Sequence, residues 1–252
     1  MVDIHTHLLF GVDDGPKTLD ESIQMIEDGI GLGFNEFYLT SHYNKGKFLN
    51  EEYDKNFEIL KKRCKDLNIQ VKLHKGNEIY LDENIDLVLK GKKFNVIKGK
   101  FLLVEFSPLT PPTVGKHMVK KVLNMGFVPI VAHVERYSHF KGSDFVELRK
   151  IGSLLQVNIG GDKPKHIVKL LKEGYIDFLG SDAHRKDRRG YFLENELTYI
   201  KRVVGEKKFQ QMLSLYKLKE EDMGREKKET DTKFFSTIFR SIFSRAWIRR
   251  DS

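Results

Sequence analysis

Cysteine is almost absent from this chain: Cys64 stands alone among 252 residues. An intrachain disulfide framework is therefore excluded, and the near-absence of thiolate argues against a structural zinc site and suits a reducing cytoplasm. Long hydrophobic runs are also missing. No apolar stretch approaches the roughly 20 residues that span a bilayer, and no basic segment runs into an apolar one at the N-terminus. Secretion is not expected. What remains is 40% hydrophobic and 32% charged, the balance of a soluble globular protein large enough for one sizeable α/β domain or two small ones. The net charge of +8 permits an anionic partner. No aromatic-basic binding motif accompanies that charge, so a nucleic-acid partner is not expected.

The chain is organised around its first residues, Met1-Val2-Asp3-Ile4-His5-Thr6-His7. They read as a short apolar strand ending in two histidines at i and i+2. Strand side chains alternate faces, so His5 and His7 point the same way and are placed to share one metal ion. Asp13-Asp14-Gly15-Pro16 marks a loop just beyond. Thr18 and Glu21 have the capping-box spacing, and Leu19, Ile23, Ile26 and Ile30 give a helical face ended by Gly31 and Gly33.

The pattern then repeats. Strands are expected at 36–41, 69–73, 101–106, 128–132, 154–158 and 176–181. Helices are expected around 53–67, 84–89, 114–125, 144–151, 167–173, 193–204 and 207–216, with Cys64 on a core-facing stripe. Short strands alternating with helices imply a parallel sheet, and about seven such units fit an α/β fold of the distorted β/α-barrel kind. In that architecture functional groups gather at the C-terminal ends of the strands. His5, His7, Asp14, His42, Glu78, Glu105, His133, Asp182 and His184 all fall there. Glu105 interrupts an otherwise apolar run, where a lone buried carboxylate is costly unless paired or metal-bound.

Imidazoles and carboxylates are ligands for zinc, manganese or iron. These candidates exceed the needs of one ion and would serve two or three ions sharing carboxylates. Such clusters generate hydroxide near neutral pH and clamp the oxygens of a hydrolytic displacement. A metal-bridging hydroxide would then be the nucleophile, with no Ser or Cys needed.

The motifs carrying these residues are His5-Thr6-His7, Asp13-Asp14-Gly15-Pro16, Thr40-Ser41-His42, Gly76-Asn77-Glu78-Ile79-Tyr80, Val104-Glu105-Phe106, Ala132-His133-Val134-Glu135-Arg136-Tyr137 and Ser181-Asp182-Ala183-His184. Together they resemble the polymerase-and-histidinol-phosphatase (PHP) superfamily. More narrowly they resemble its manganese-dependent protein-tyrosine phosphatases of bacterial capsule and exopolysaccharide operons, the CpsB/CapC type, over residues 1–216. The resemblance implies Mn2+ in a trinuclear site. His5, His7, Glu78 and Asp182 would hold one ion, with Glu78 bridging to a second held by Glu105 and His133. Asp14, His42 and His184 would hold the third.

It further implies that Arg136 binds substrate phosphate. Arg189 matches a second such arginine, with Arg185 and Arg188 as neighbouring alternatives; a guanidinium fork suits phosphate oxygens. The implied substrate is a phosphotyrosine protein, a bacterial tyrosine autokinase in particular. The alternative is a small-molecule phosphoesterase of histidinol-phosphatase type. Asp13 reads as a turn or supporting residue, and His74, His117, His139 and His166 as surface positions. Tyr43 and Tyr80 are open between substrate stacking and core packing. The stretch from Ile159 to Pro164 is shorter than the family pattern, which shortens one wall of the mouth and bears on substrate preference rather than on the metal site.

Beyond the barrel, 217–233 reads as a charged linker. Residues 234–252 read as a basic amphipathic tail with Phe235, Ile238, Phe239, Ile242, Phe243 and Trp247 at helical spacing beside Arg240, Arg245 and Arg249. That pattern fits an interfacial helix on anionic lipid, which would set a cytoplasmic protein at the inner face of the membrane, and also a helix that docks its apolar face on a partner or on the barrel itself. A homo-oligomer is compatible with the sequence.

Overall fold

The structure is a computed structural model that describes residues 1–44, 47–48 and 51–218. Contact between residues divides the chain into Met1–Ser214 and Leu215–Ser252. In the second unit only residues 215–218 are described, with a single 3-10 turn at Tyr216–Leu218. Most of the expected linker, and the whole of the expected tail, lie outside the described residues.

The first unit begins with β1 (Val2–Thr6), α1 (Leu19–Gly31), β2 (Glu36–Leu39), β3 (His42–Tyr43), α2 (Tyr53–Asp66), β4 (Lys72–Lys75), β5 (Glu78–Tyr80) and α3 (Ile85–Gly91). It continues with β6 (Phe101–Glu105), α4 (Pro112–Asn124), β7 (Val128–Val131), α5 (Gly142–Lys150), β8 (Leu154–Asn158), α6 (Lys165–Glu173), β9 (Phe178–Gly180), α7 (Glu194–Val204) and α8 (Glu206–Met212).

The named strands pair in parallel, in the orders β1-β2-β4 and β3-β5-β6-β7-β8-β9. Thr40-Ser41 separates β2 from β3, and Gly76-Asn77 separates β4 from β5. Each pair is thus one stave bent in the middle, which reconciles nine strands with the seven expected. The last stave meets the first: Asp182 N–H donates to His5 O and His7 N–H to Ala183 O, both at 2.8 Å. The result is a distorted, curled β/α barrel.

Local sequence explains the elements. Strands such as Phe101-Leu102-Leu103-Val104 are buried on both faces, as a parallel sheet wrapped in helices requires. Thr18 caps α1 by accepting from Glu21 N–H at 3.2 Å, while the Glu21 carboxylate takes Lys17 N–H rather than the cap's own. Pro112 opens α4, where its missing N–H costs nothing. Gly174 closes α6 in the left-handed conformation at φ 89°.

Two expectations shift. Ile69 and Val71 do not pair in a strand; Ile69 N–H folds back to Cys64 O, and pairing with β2 starts at Lys72. The stretch Glu78–Tyr80, outside the strands expected from the sequence, is itself a strand. Cys64 lies on the buried face of α2, within the core.

Candidate metal centre

The C-terminal ends of the staves converge on one cluster. Alternation along β1 turns His5 and His7 to the same side, both fully buried, while Thr6 between them donates from Oγ1 to Tyr38 O. The loop that follows is shaped by Asp13: its Oδ1 accepts Gly15 N–H at 2.9 Å, and its Oδ2 accepts His42 N–H at 2.9 Å. At Gly15 an added Cβ would lie 2.1 Å from His7 O, so the loop closes only on glycine. Register does the rest. His42 sits beside Glu78 on β3 and β5, and Glu105 beside Tyr80 on β6 and β5.

Glu78 is the hub. Its Oε1 lies 3.3 Å from His5 Nε2 and 2.9 Å from His133 Nε2; its Oε2 lies 3.3 Å from His7 Nε2 and 3.0 Å from His42 Nδ1. Three donor sets come within metal-sharing distance: His5, His7 and Asp182; His42, Glu78 and Glu105; and His7, Asp14, His42 and His184. His133 adds to the middle set, with Nε2 3.4 Å from Glu105 Oε2. All nine residues that the sequence singles out as donors therefore meet. Their grouping differs: His7 and His42 each belong to two sets rather than one, while Glu78, expected in two, is grouped with His42 and Glu105.

Hydrogen bonds behind the cluster fix which imidazole nitrogens face inward. His7 Nδ1 is 2.8 Å from Asp13 Oδ2, His5 Nδ1 is 3.0 Å from Gln156 Oε1, and His184 Nδ1 is 2.8 Å from the Asp182 carbonyl. Each of these partners is an acceptor, so each Nδ1 carries the hydrogen and each Nε2 points inward. His5 and His7 then oppose Nε2 to Nε2 at 3.3 Å. His184 Nε2 is buried without a hydrogen bond, 3.3 Å from Asp14 Oδ1. Lone pairs set against lone pairs and carboxylates need a positive charge among them. The donor set thus fits divalent cations.

The ionisation equilibria express the same demand. Burial and the neighbouring His42 oppose charge on His7, yet Asp13 and Glu78 raise it to about 9. Burial likewise opposes charge on His42 and His133, but Glu105 and Glu78 raise them to about 11 and about 10. Burial favours the neutral form of Asp182, yet His5, Arg136, His184 and His7 hold its carboxyl well below the usual range. Burial and the charge of His7 lower His184.

Two arginines rim the cluster through one oxygen. Asp182 turns Oδ1 to His5 at 3.3 Å, while its Oδ2 takes Arg136 Nη2 and, at 2.9 Å, Arg189 Nη1. Arg189 also reaches Asp14 at 3.8 Å, whereas Arg185 pairs with Asp187. Of the three candidate arginines near the end of β9, Arg189 is thus the one that reaches the donors. His133 and Asp182 both adopt positive φ, 32° and 55°, at the turns that follow β7 and β9.

Other sequence expectations fall as follows. Tyr43 is buried, edge-on to Phe94 in the core, and Tyr80 is part-buried. His117 and His139 are exposed; His166 is part-buried, and His74 stacks on Tyr38 at 4.7 Å. Glu135 accepts Asn158 N–H. Lys163 ties the short loop before α6 by donating to Ile159, Gly160 and Gly161 carbonyls. The sequence reading missed Gln156 and Asn158, two buried amides on β8 beside the donors. The available signal was their polar i, i+2 placement in the apolar run Leu154-Leu155-Gln156-Val157-Asn158-Ile159.

Residues 1–217 match the family described as capsular polysaccharide synthesis, CpsB/CapC. The chain belongs to the CpsB/CapC family. A relative from Streptococcus agalactiae serotype III, tyrosine-protein phosphatase CpsB, is 33% identical over 229 residues, covering 84% of this chain and 94% of its own. Tyrosine-protein phosphatase YwqE of Bacillus subtilis is 25% identical over 217 residues, covering 81% and 85%. A solved structure from work on YwqE of Bacillus subtilis and CpsB of Streptococcus pneumoniae, described as metal-dependent tyrosine phosphatases, superposes with a TM-score of 0.75. It is 23% identical and covers 84% of this chain and 91% of that one. A histidinol phosphate phosphatase from Lactococcus lactis shares the fold at a TM-score of 0.55 and 15% identity, with 81% and 93% covered.

Proposed function

We propose that this CpsB/CapC protein is a metal-dependent protein-tyrosine phosphatase that uses Mn2+. The observation that carries the reading is Asp182, whose one oxygen faces the histidine donors while the other holds Arg136 and Arg189. Metal donors and the two cations that would bind phosphate thereby meet on a single carboxylate, side by side at one site. Family membership and the relatives' activity support the same reading.

His5, His7, Glu78 and Asp182 would hold one ion, Glu78, Glu105 and His133 a second, and Asp14, His42 and His184 a third. When bound, such ions supply a nucleophile at neutral pH and neutralise charge on phosphoryl oxygens. The chain's own residues do the rest. Arg136 and Arg189 orient the phosphate through fixed guanidinium forks. Asp13 keeps the His7 hydrogen on Nδ1, and burial keeps bulk water from His5, His7 and Glu78.

The substrate in this reading is phosphotyrosine on a protein, a bacterial tyrosine autokinase of capsule or exopolysaccharide synthesis. The enzyme would act in the cytoplasm, with the basic amphipathic sequence 234–252 contacting anionic lipid. Among the described residues no helix is long and apolar enough to cross a membrane. Flotation of the full chain with anionic vesicles tests that contact.

The deciding assay compares a phosphotyrosine peptide with histidinol phosphate in the presence of Mn2+. Turnover confined to the peptide supports the proposal. Turnover mainly on histidinol phosphate would replace it with a small-molecule phosphoesterase on the same site.

A further inference from the structure

We infer that Gln156 and Asn158 are positioning residues for the metal centre. They form an amide chain that sets the tautomer of His5 and leaves one oxygen of Asp182 facing the donors. The inference rests on the metal-dependent reading above, and it concerns residues that contact donors rather than substrate.

The amide chain is anchored at a main-chain group. His133 N–H donates at 2.8 Å to the terminal side-chain atom of Gln156 that also lies 3.0 Å from His5 Nδ1. A backbone N–H can only donate, so that atom is the amide oxygen and the amide has one orientation. An oxygen there compels His5 to carry its hydrogen on Nδ1. His5 Nε2 is then left with a lone pair facing Glu78 Oε1 and Asp182 Oδ1, each 3.3 Å away.

The other end of Gln156 passes the orientation on. Its Nε2 donates at 2.9 Å to Asn158 Oδ1, which fixes the second amide, and Asn158 Nδ2 donates at 3.0 Å to Asp182 Oδ2. With Arg136 and Arg189 on that same oxygen, Oδ1 is the one left toward His5 and His7. One backbone N–H therefore determines two amides, one tautomer and the facing of one carboxylate.

Burial makes the chain obligatory. Gln156 is fully buried and Asn158 nearly so, and unpaired amides at such depth are costly. Room for them is made by Gly180 on the adjacent strand, where an added Cβ would lie 2.7 Å from His5 Cβ and 2.9 Å from Gln156 Nε2. Metal-ligating histidines are commonly oriented by such outer acceptors, whose loss typically weakens metal binding about 10–100-fold.

The test is calorimetric Mn2+ titration of the full chain, freed of metal with chelator, as wild type, Gln156→Met and Gln156→Glu. Methionine keeps length without an acceptor; glutamate keeps the acceptor oxygen. We expect Gln156→Met to lose about 10–100-fold in Mn2+ affinity, and Gln156→Glu, which keeps the acceptor for His5 but gives up the donor to Asn158, to lose clearly less. Wild-type affinity in Gln156→Met, or equal losses in both variants, would overturn the inference. Should Gln156→Met fail to fold, the wild type carries the test through 15N-histidine NMR of the zinc-loaded protein. A hydrogen on His5 Nδ1 supports the inference, and coordination through Nδ1 refutes it. Neither readout uses turnover. Wild type that binds no Mn2+ would sink the metal reading itself, whereas binding without phosphotyrosine hydrolysis would sink only the proposed activity.

Discussion

His42 and Glu78 stand in register on adjacent parallel strands, with His42 Nδ1 3.0 Å from Glu78 Oε2. That pairing makes Glu78 the carboxylate on which the donor sets meet, since the same side chain also approaches His5, His7 and His133. Asp14, by contrast, is half-exposed and sits in a single donor set, with His7, His42 and His184. Glu78→Gln is therefore expected to strip most of the bound manganese, and Asp14→Asn to remove a fraction. Metal analysis after dialysis checks this. Equal losses in the two variants would contradict a shared carboxylate.

The two arginines meet on one oxygen, so they are expected to behave as a unit. Arg136→Ala and Arg189→Ala should each lower kcat/KM on a phosphotyrosine peptide by about 10–100-fold, the loss of one charge-assisted contact. The double variant should fall short of the product of the single losses, because neighbours sharing a partner are not additive. Steady-state kinetics of all four proteins gives the coupling, and full additivity would argue against a shared phosphate site.

Rising pH should pull apart the stabilities of the metal-free and metal-loaded proteins. His7, His133 and His42 rise to about 9, 10 and 11 in the folded, metal-free chain. Unfolded imidazole titrates near 6.5. The stability these groups contribute is fully present below about 6.5 and is lost as pH climbs through the raised values. Metal binding must displace those protons, so Mn2+ affinity should increase over the same window. Melting curves at pH 6.5, 7.5 and 9, with chelator and with saturating Mn2+, should show the gap widening with pH. A constant gap would refute the assignment.

Gly180→Ala replaces no donor yet should disturb the site. Its Cβ would press on His5 and Gln156, and overpacking of this kind costs about 1–3 kcal/mol. We expect a melting temperature lower by about 2–10 °C in chelator and weaker Mn2+ binding. Gly31→Ala, where an added Cβ meets nothing within 4 Å, is the control and should leave metal binding unchanged.

The donors were legible in the sequence for a physical reason. Charged or imidazole groups ending apolar strands have few fates besides a shared site, so His5, His42, Glu105 and Asp182 announced themselves. Barrel topology followed from the alternation of strand and helix. The bend between β2 and β3 was hidden because Thr40-Ser41 is ordinary strand sequence; its cause is tertiary, with Thr40 Oγ1 donating to Thr6 O and Tyr53 donating to Leu39 O. Gln156 and Asn158 were hidden because an amide in a strand carries no charge to flag it. The double membership of His7 and His42 depends on how far neighbouring staves lean together, which spacing along one chain does not encode.

His133 and Asp182 hold left-handed backbone at φ 32° and 55°, a conformation that side-chain-bearing residues adopt at a cost of about 1–3 kcal/mol each. A screen that rewards heat resistance alone would favour glycine or asparagine at these two turns. The fitter folder would then be the poorer catalyst. Any thermostabilising effort on this scaffold should keep positions 133 and 182 fixed and look for its gains on the helices instead.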